Sequence, residues 1–351
     1  MGLFDNVLAS NQSLIRNEAA LDYEFLPKLL PFREKEQQYM ALCMKPLFAN
    51  RSGRNLLVYG PPGIGKSAAI RHVLRDLEDE TDDVVPIYVN CWNYNTSYKI
   101  ISEICEILGY RFTQNKKTSE LIKIAISLLN KRPVVLVFDE IDKAEDFDFL
   151  YTFVEEIYHK SIFLLTNYKS WLLELDERIR SRLLAELREF REYNEQETKG
   201  ILKERLSYAF VPGVWDDEAF NLLAKKTYQI KDIRSGLFLL KESALLAEDS
   251  ASKKITVEHV VIAISKLVEF SIKNMDELDE ESRFINGVVK NHSGSKIGDL
   301  YEEYKSLGGK SSYKTFQRRL SKLEEGRFIK LTKQRGAGGN TTIVERKLTD
   351  F

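Results

Sequence analysis

Short apolar runs and longer runs with a helical repeat alternate along the first half of this chain. Residues 55–59, 84–90, 134–138 and 161–166 are apolar almost without interruption. Unbroken runs of that length predict strands buried on both faces, as in a parallel sheet. Between them, 66–78, 97–109, 118–130 and 146–158 carry apolar residues at helical spacing, and 34–49 does the same before the first strand. The βαβ rhythm predicts a parallel sheet with helices on both faces. Leu187–Tyr193 adds a short last strand, and residues 1–35 read as an irregular lead-in.

After Asn194 the strand pattern stops. Asn194 with Glu197 three residues on predicts a helix N-terminus. Helices follow at 195–209, 216–228, 232–248 and 256–270. The acidic stretch Asn274–Glu281 predicts a linker. Beyond it come helices at 283–291, 296–307 and 312–325. Strands at 326–331 and 341–346 then flank a glycine-rich basic tip. Three helices and a hairpin predict a winged helix. The domain reading is an α/β nucleotide-binding domain at 1–193, an all-α domain at 194–273, a linker at 274–284 and the winged helix at 285–351.

Charge sharpens this division. The 351 residues carry 52 Lys+Arg against 53 Asp+Glu. From Ile285 onward, however, 14 are basic and 7 acidic, so an acidic body precedes a basic terminal domain. That asymmetry points to nucleic acid as the partner of the last domain. On helix 312–325, Lys314, Gln317 and Arg318 are of the types that reach base edges and phosphates. Lys333, Arg335 and Asn340 at the wing are the second set of expected DNA contacts. No run approaches the length of a membrane span. The sequence starts without the charged and apolar regions of a signal peptide, and Gly2 lacks the Ser or Thr of a myristoylation motif. Cys43, Cys91 and Cys105 form no C-x-x-C pair and read as reduced core residues of an intracellular protein.

Residues 60–67 read Gly-Pro-Pro-Gly-Ile-Gly-Lys-Ser, directly after the strand Leu56–Tyr59. This is the phosphate-binding loop in the context it requires. Pro61, Pro62, Gly63, Ile64, Gly65, Lys66, Ser67 and Ala68 would cradle a nucleoside triphosphate, with Lys66 on the β/γ-phosphates and Ser67 on Mg²⁺. The buried run ending Phe138-Asp139-Glu140 supplies acidic residues at the C-terminal end of a strand, where such sheets bind ligands. Asp139 is the expected Mg²⁺ partner and Glu140 the base or water-orienting group. These motifs predict ATP/ADP and Mg²⁺ as ligands.

Further elements resemble the AAA+ ATPases, P-loop proteins with a helical lid. Asn167 ends a buried strand, where the resemblance implies the sensor-one role. Leu175–Leu183 resembles the segment that presents an arginine finger to a neighbour's nucleotide, with Arg182 first and Arg178 second. Arg234, opening a lid helix after Asp232, resembles the sensor-two arginine on the γ-phosphate. Lys231 stands where a glycine is common.

The order of parts over nearly the whole chain resembles the archaeal replication initiators of the origin recognition complex and cell-division-cycle family. Leu30-Pro31-Phe32-Arg33-Glu34, the approach Asn55–Gly60, the strand ending Tyr88-Val89-Asn90-Cys91, and Arg327-Phe328 with the tip Arg335–Asn340 carry that resemblance. The helical stretch after Cys91 sits where the family has an insertion that touches DNA, although here Lys99 is nearly its only basic residue. The resemblance implies slow ATP hydrolysis, binding of double-stranded origin DNA, a replicative helicase and other initiator subunits as partners, and a cytoplasmic, nucleoid-associated location. The rivals are an ATP-modulated winged-helix transcription regulator, a clamp-loader-like subunit and a protein-only adaptor whose winged helix binds partner subunits.

Overall fold

In a computed structural model, residues 13–276, 279–292, 294–325, 329–336 and 339–346 are described. The chain divides into two compact units, Met1–Val257 and Glu258–Phe351.

The first unit begins with an extended arm. Ile15 bridges Phe210, and a 3-10 turn covers Glu18–Leu21; the rest of the described lead-in is irregular, as expected. Helix α1 (Glu34–Met44) ends earlier than the expected 49, because Pro46 tightens residues 45–49 into a 3-10 turn closed by Asn50 at φ +50°. Strand β1 (Leu56–Tyr59) feeds helix α2 (Lys66–Glu80) through the phosphate loop. There follow β2 (Val85–Asn90), α3 (Ser97–Ile107), α4 (Thr118–Leu129), β3 (Val134–Asp139), α5 (Asp148–Glu156) and β4 (Lys160–Thr166). Two short helices that periodicity missed, α6 (Trp171–Glu174) and α7 (Glu177–Leu183), precede β5 (Glu186–Glu189).

The five strands form one parallel sheet in the order β2-β3-β4-β1-β5. Side chains alternate across it. Leu136 and Phe138 face a core with α3, α4 and α5, and Val135 and Val137 face a core with α1 and α2. Every residue of β3 is buried, which is why its run shows no alternation.

Helices α8 (Glu195–Ala209), α9 (Asp217–Ile230) and α10 (Ile233–Asp249) complete this unit. The capping box expected at Asn194 is formed, with Asn194 and Glu197 each accepting the other's backbone N–H. The arm runs along these helices. Arg205 of α8 donates to the carbonyls of Ala20 and Phe25, and Lys241 of α10 pairs with Glu18.

The second unit opens with α11 (Val257–Asp276), which continues past the expected 270. Then come α12 (Glu280–Asn291), β6 (Ser295–Lys296), α13 (Ile297–Ser306), α14 (Tyr313–Glu325), β7 (Ile329–Gly336) and β8 (Gly339–Arg346). The strands pair antiparallel in the order β6-β8-β7. This is the winged-helix arrangement, with a core built on Ile285, Val289, Leu300, Tyr304, Phe316 and Leu320. Tyr304 is fully buried, and its hydroxyl bonds Glu281 and accepts the Ser311 N–H at 2.7 Å. The expected loop at the wing tip is largely strand. Lys333 pairs with Thr342 and Arg335 with Asn340 in the β7/β8 register, leaving only Ala337 and Gly338 between them, outside the described residues. Arg327 and Phe328 also lie outside the described residues.

Candidate nucleotide-binding site and winged-helix surface

The phosphate loop is built from backbone that side chains rarely adopt. Gly63 has φ +77° and Gly65 φ +87°. Such geometry turns successive N–H groups toward one side, where anions bind, next to the N-terminus of α2. Gly63, Gly65, Lys66, Ser67 and Ala68 line a cleft of about 240 Å³. Asp139, Glu140, Asn167 and Arg234 line the same cleft, so the sheet and the helical region bring most of the expected site residues together. Pro61, Pro62 and Ile64 supply loop backbone, and Ile64 turns its side chain into the core.

Lys66 is only 8% exposed. Its ammonium donates to the carbonyls of Gly60 (2.6 Å) and Pro61 (2.9 Å) and to Asn167 Oδ1 (2.9 Å). Burial pulls its pKa down to about 8, opposed by the charge of Asp139. Asp139 accepts the N–H of Glu140 on Oδ1 (2.9 Å) and the hydroxyl of Tyr88 on Oδ2 (2.5 Å). Glu140 has φ +52° and is half-buried. Burial, then the neighbouring Asp139 and Asp142, raise its pKa above the ordinary carboxylate value. Arg234 Nε is 4.0 Å from Asp232 Oδ1, with its side chain half exposed.

This constellation fits a nucleoside triphosphate with Mg²⁺. A positive-φ cradle, a buried lysine and a helix N-terminus meet polyphosphate, and one hydroxyl (Ser67) with one carboxylate (Asp139) suits a cation that keeps its waters.

Arg182 and Arg178 do not line this cleft. Arg182 Nε pairs with Glu155 and its guanidinium lies 5.3 Å from the Tyr151 ring centre. Arg178 is held by Asp176 at 3.0 Å and is 78% exposed.

Sequence reasoning left four contributors without a role. Arg33, fully buried, donates to the Ile64 carbonyl (3.1 Å), the Arg191 carbonyl (2.6 Å) and the Tyr193 hydroxyl (3.0 Å). It therefore holds the back of the phosphate loop. The sequence signals were a charge inside the apolar stretch before α1 and its place in Leu30–Glu34, the stretch that resembles the family's, neither of which assigned it to the loop. Asp232 and Ile233 reach the loop from the helical side: Ile233 N–H donates to the Gly63 carbonyl at 3.3 Å. Tyr88 reaches Asp139 from the neighbouring strand, which spacing alone could not reveal.

On the second unit, Lys314, Gln317 and Arg318 of α14 are all exposed, while Phe316, Leu320 and Leu323 face the core. Lys333, Arg335 and Asn340 are placed by backbone register only.

A phosphate loop on a five-stranded parallel sheet, a helical lid and a winged helix define an AAA+ ATPase with a C-terminal winged-helix domain. Residues 49–168 match the model of the AAA domain, and 199–265 match that of the Cdc6 AAA+ ATPase-type lid domain. The chain belongs to the family of ORC1-type DNA replication proteins. It is 30% identical over 345 residues to ORC1-type DNA replication protein 1 of Archaeoglobus fulgidus, covering 92% of this chain and 84% of that one. It is 28% identical to ORC1-type DNA replication protein 2 of the same organism, covering 98% and 93%. Among solved structures, the Aeropyrum pernix ORC1 protein in complex with DNA matches with a TM-score of 0.71 and 26% identity, covering 96% of this chain and 94% of that chain.

Proposed function

We propose that this protein is an ATP-controlled replication initiator: it binds double-stranded origin DNA and helps recruit or load the replicative helicase. The observation that carries the reading is the presence, in one chain of this family, of a cleft lined by Lys66, Ser67, Asp139, Glu140, Asn167 and Arg234 in one unit and an exposed basic helix face on the winged helix of the other. Lys314, Gln317 and Arg318 contact the duplex from α14, and Lys333, Arg335 and Asn340 contact it from the wing. The domain limits are 1–193, 194–273 and 285–351, joined by 274–284. The protein works in the cytoplasm, at the nucleoid, with other initiator subunits as neighbours.

Hydrolysis follows from the same cleft. Lys66 holds the β/γ-phosphates; Ser67 and Asp139 would hold Mg²⁺, which would supply neutralisation of charge on the phosphates. Glu140, its basicity raised by burial, takes the proton of the attacking water, and Asn167 orients that water. Arg234 meets the γ-phosphate. Arg182, or after it Arg178, is supplied by a neighbouring copy. A trans arginine is worth roughly 10³–10⁵ in turnover, so the lone chain hydrolyses ATP slowly.

Mapping the genomic DNA that this protein occupies in its own cells tests the reading. Occupancy at replication starts, lost with Lys66→Ala, is expected. Occupancy scattered over promoters and absent from replication starts would instead mark a transcription regulator.

A further inference from the structure

Tyr88 sits on β2 in register with Val137, two residues before Asp139 on the neighbouring strand. Ile87 and Val89 face the core under α3 and α4. Tyr88 therefore faces the other side of the sheet with Val135 and Val137, the side from which Asp139 enters the nucleotide cleft. Its hydroxyl is 2.5 Å from Asp139 Oδ2.

The ring is held from behind. The guanidinium of Arg71, on α2, lies 5.9 Å from its centre, and Arg71 pairs at 2.6 Å with Glu24 of the arm. Tyr88 also lines the cleft itself. Asp139 is 2% exposed, so its orientation is set by these partners and not by water. A carboxylate has about four acceptor sites. The Glu140 N–H takes one on Oδ1 and Tyr88 takes one on Oδ2. Each oxygen keeps a further lone pair, and the two donors fix where those lone pairs point.

We propose that Tyr88 is a positioning residue for the divalent-cation site: its hydroxyl fixes Asp139 Oδ2 and so holds the carboxylate where it meets the hydrated cation. The proposal rests on the reading of the cleft as an Mg²⁺–nucleotide site and assigns a residue to it. Outer partners of this kind orient the groups that face a metal, and their removal typically weakens metal affinity about 10- to 100-fold. Tyr88 acts through Asp139 and touches no phosphate in this account. Its effect therefore belongs to the cation-dependent part of nucleotide binding alone.

The test is a titration of the full-length protein with a fluorescent ADP analogue, in chelator and in saturating Mg²⁺, well below the unfolding midpoint of each variant. The readout is the Mg²⁺ gain, the ratio of the two affinities. Tyr88→Phe keeps the ring under Arg71 and removes one oxygen. It is expected to cut the Mg²⁺ gain about tenfold while the chelator affinity stays within about twofold, as for the loss of one hydrogen bond to a charged group. In the Asp139→Asn background the same substitution is expected to change the gain by less than about twofold, because the two side chains act as one unit. An unchanged or larger gain in Tyr88→Phe overturns the proposal, as does an equal fall in both affinities, the mark of a purely structural role. Absence of nucleotide binding, or of any Mg²⁺ gain, by the unaltered protein overturns the nucleotide-site reading itself.

Discussion

Asp232 closes over Gly63 of the phosphate loop: its Oδ1 lies 2.0 Å from the point that a Cβ on Gly63 would occupy. The first turn of α10 thus rests directly on the loop that would hold phosphate, and the contact depends on a missing side chain. Arg33 grips the same loop from the other side through the Ile64 carbonyl. Loop geometry and the seating of the helical region on it are therefore one structural problem.

Gly63→Ala tests that coupling. The new methyl meets a carboxylate, and φ +77° adds a strain of about 1 kcal/mol for a residue with a Cβ. The expected result is a lower unfolding midpoint and at least roughly tenfold weaker ADP binding, since a displacement worth about 1.4 kcal/mol already does this. Asp232→Ala added to Gly63→Ala should restore part of the loss by reopening the space. Isothermal titration and thermal melts of the single and double variants check it.

Lys231 closes α9 at φ +60°, a conformation that favours glycine. Its ammonium pairs with Glu192, but the lysine side chain is 53% exposed. An exposed pair contributes about 0–1 kcal/mol, while relieving left-handed strain returns a comparable amount. Lys231→Gly should leave the unfolding free energy within about 1 kcal/mol of the original. Lys231→Val, which crowds the same φ, should lose more than about 1 kcal/mol. Urea denaturation of the three proteins separates backbone strain from the ion pair.

Glu197 gives a pH signature. It accepts the Asn194 N–H at 2.9 Å and two bonds from Arg191, at 2.7 and 2.5 Å. The Arg191 hydrogen bonds, more than any other contact, hold its pKa below the ordinary carboxylate value. A carboxylate whose folded pKa is depressed contributes stability that is fully present above its unfolded pKa, about 4.3, and is lost as pH falls through the folded value. Glu197→Gln should therefore destabilise by roughly 1–2 kcal/mol at neutral pH, the usual range for a cap. The gap between the two proteins should close below about pH 4. Denaturation midpoints across that range test the sign as well as the size.

Much of this was legible in the sequence. The unbroken run Val134–Phe138 announced a strand buried on both faces, and Gly60–Ser67 after Leu56–Tyr59 announced the loop, because both patterns are local. The partners of that loop were not legible. Arg33, Tyr88 and Asp232 reach it from the lead-in to α1, from β2 and from α10, through contacts that depend on the three-dimensional arrangement and leave no spacing behind. Boundaries moved where local chemistry intervened, as at Pro46. The wing shows the opposite failure. Its glycines suggested a long loop, but the ladder from Lys333 to Arg335 continues because pairing with Asn340–Thr342 satisfies the backbone.

The exposed face of α14 leads to the last prediction. Gln317 and Arg318 follow Lys314 by three and four residues and all three point outward, whereas Arg319, on the same helix, is turned to Asp279 and to Ser282 Oγ at 2.9 Å. Four neighbouring polar residues should thus behave in three ways. Removing a phosphate contact lowers the slope of log affinity against log salt by about 0.9. Lys314→Ala and Arg318→Ala should each reduce the slope by about that amount and weaken binding on every duplex alike. Gln317→Ala should leave the slope unchanged and alter the preference among sequences, because an uncharged side chain releases no counterion. Arg319→Ala should lower the stability of the winged helix while its slope stays that of the original protein. Fluorescence anisotropy with labelled duplexes over a series of KCl concentrations measures all four. If the Lys314→Ala/Arg318→Ala protein keeps the full slope, this face of α14 does not carry the phosphate contacts.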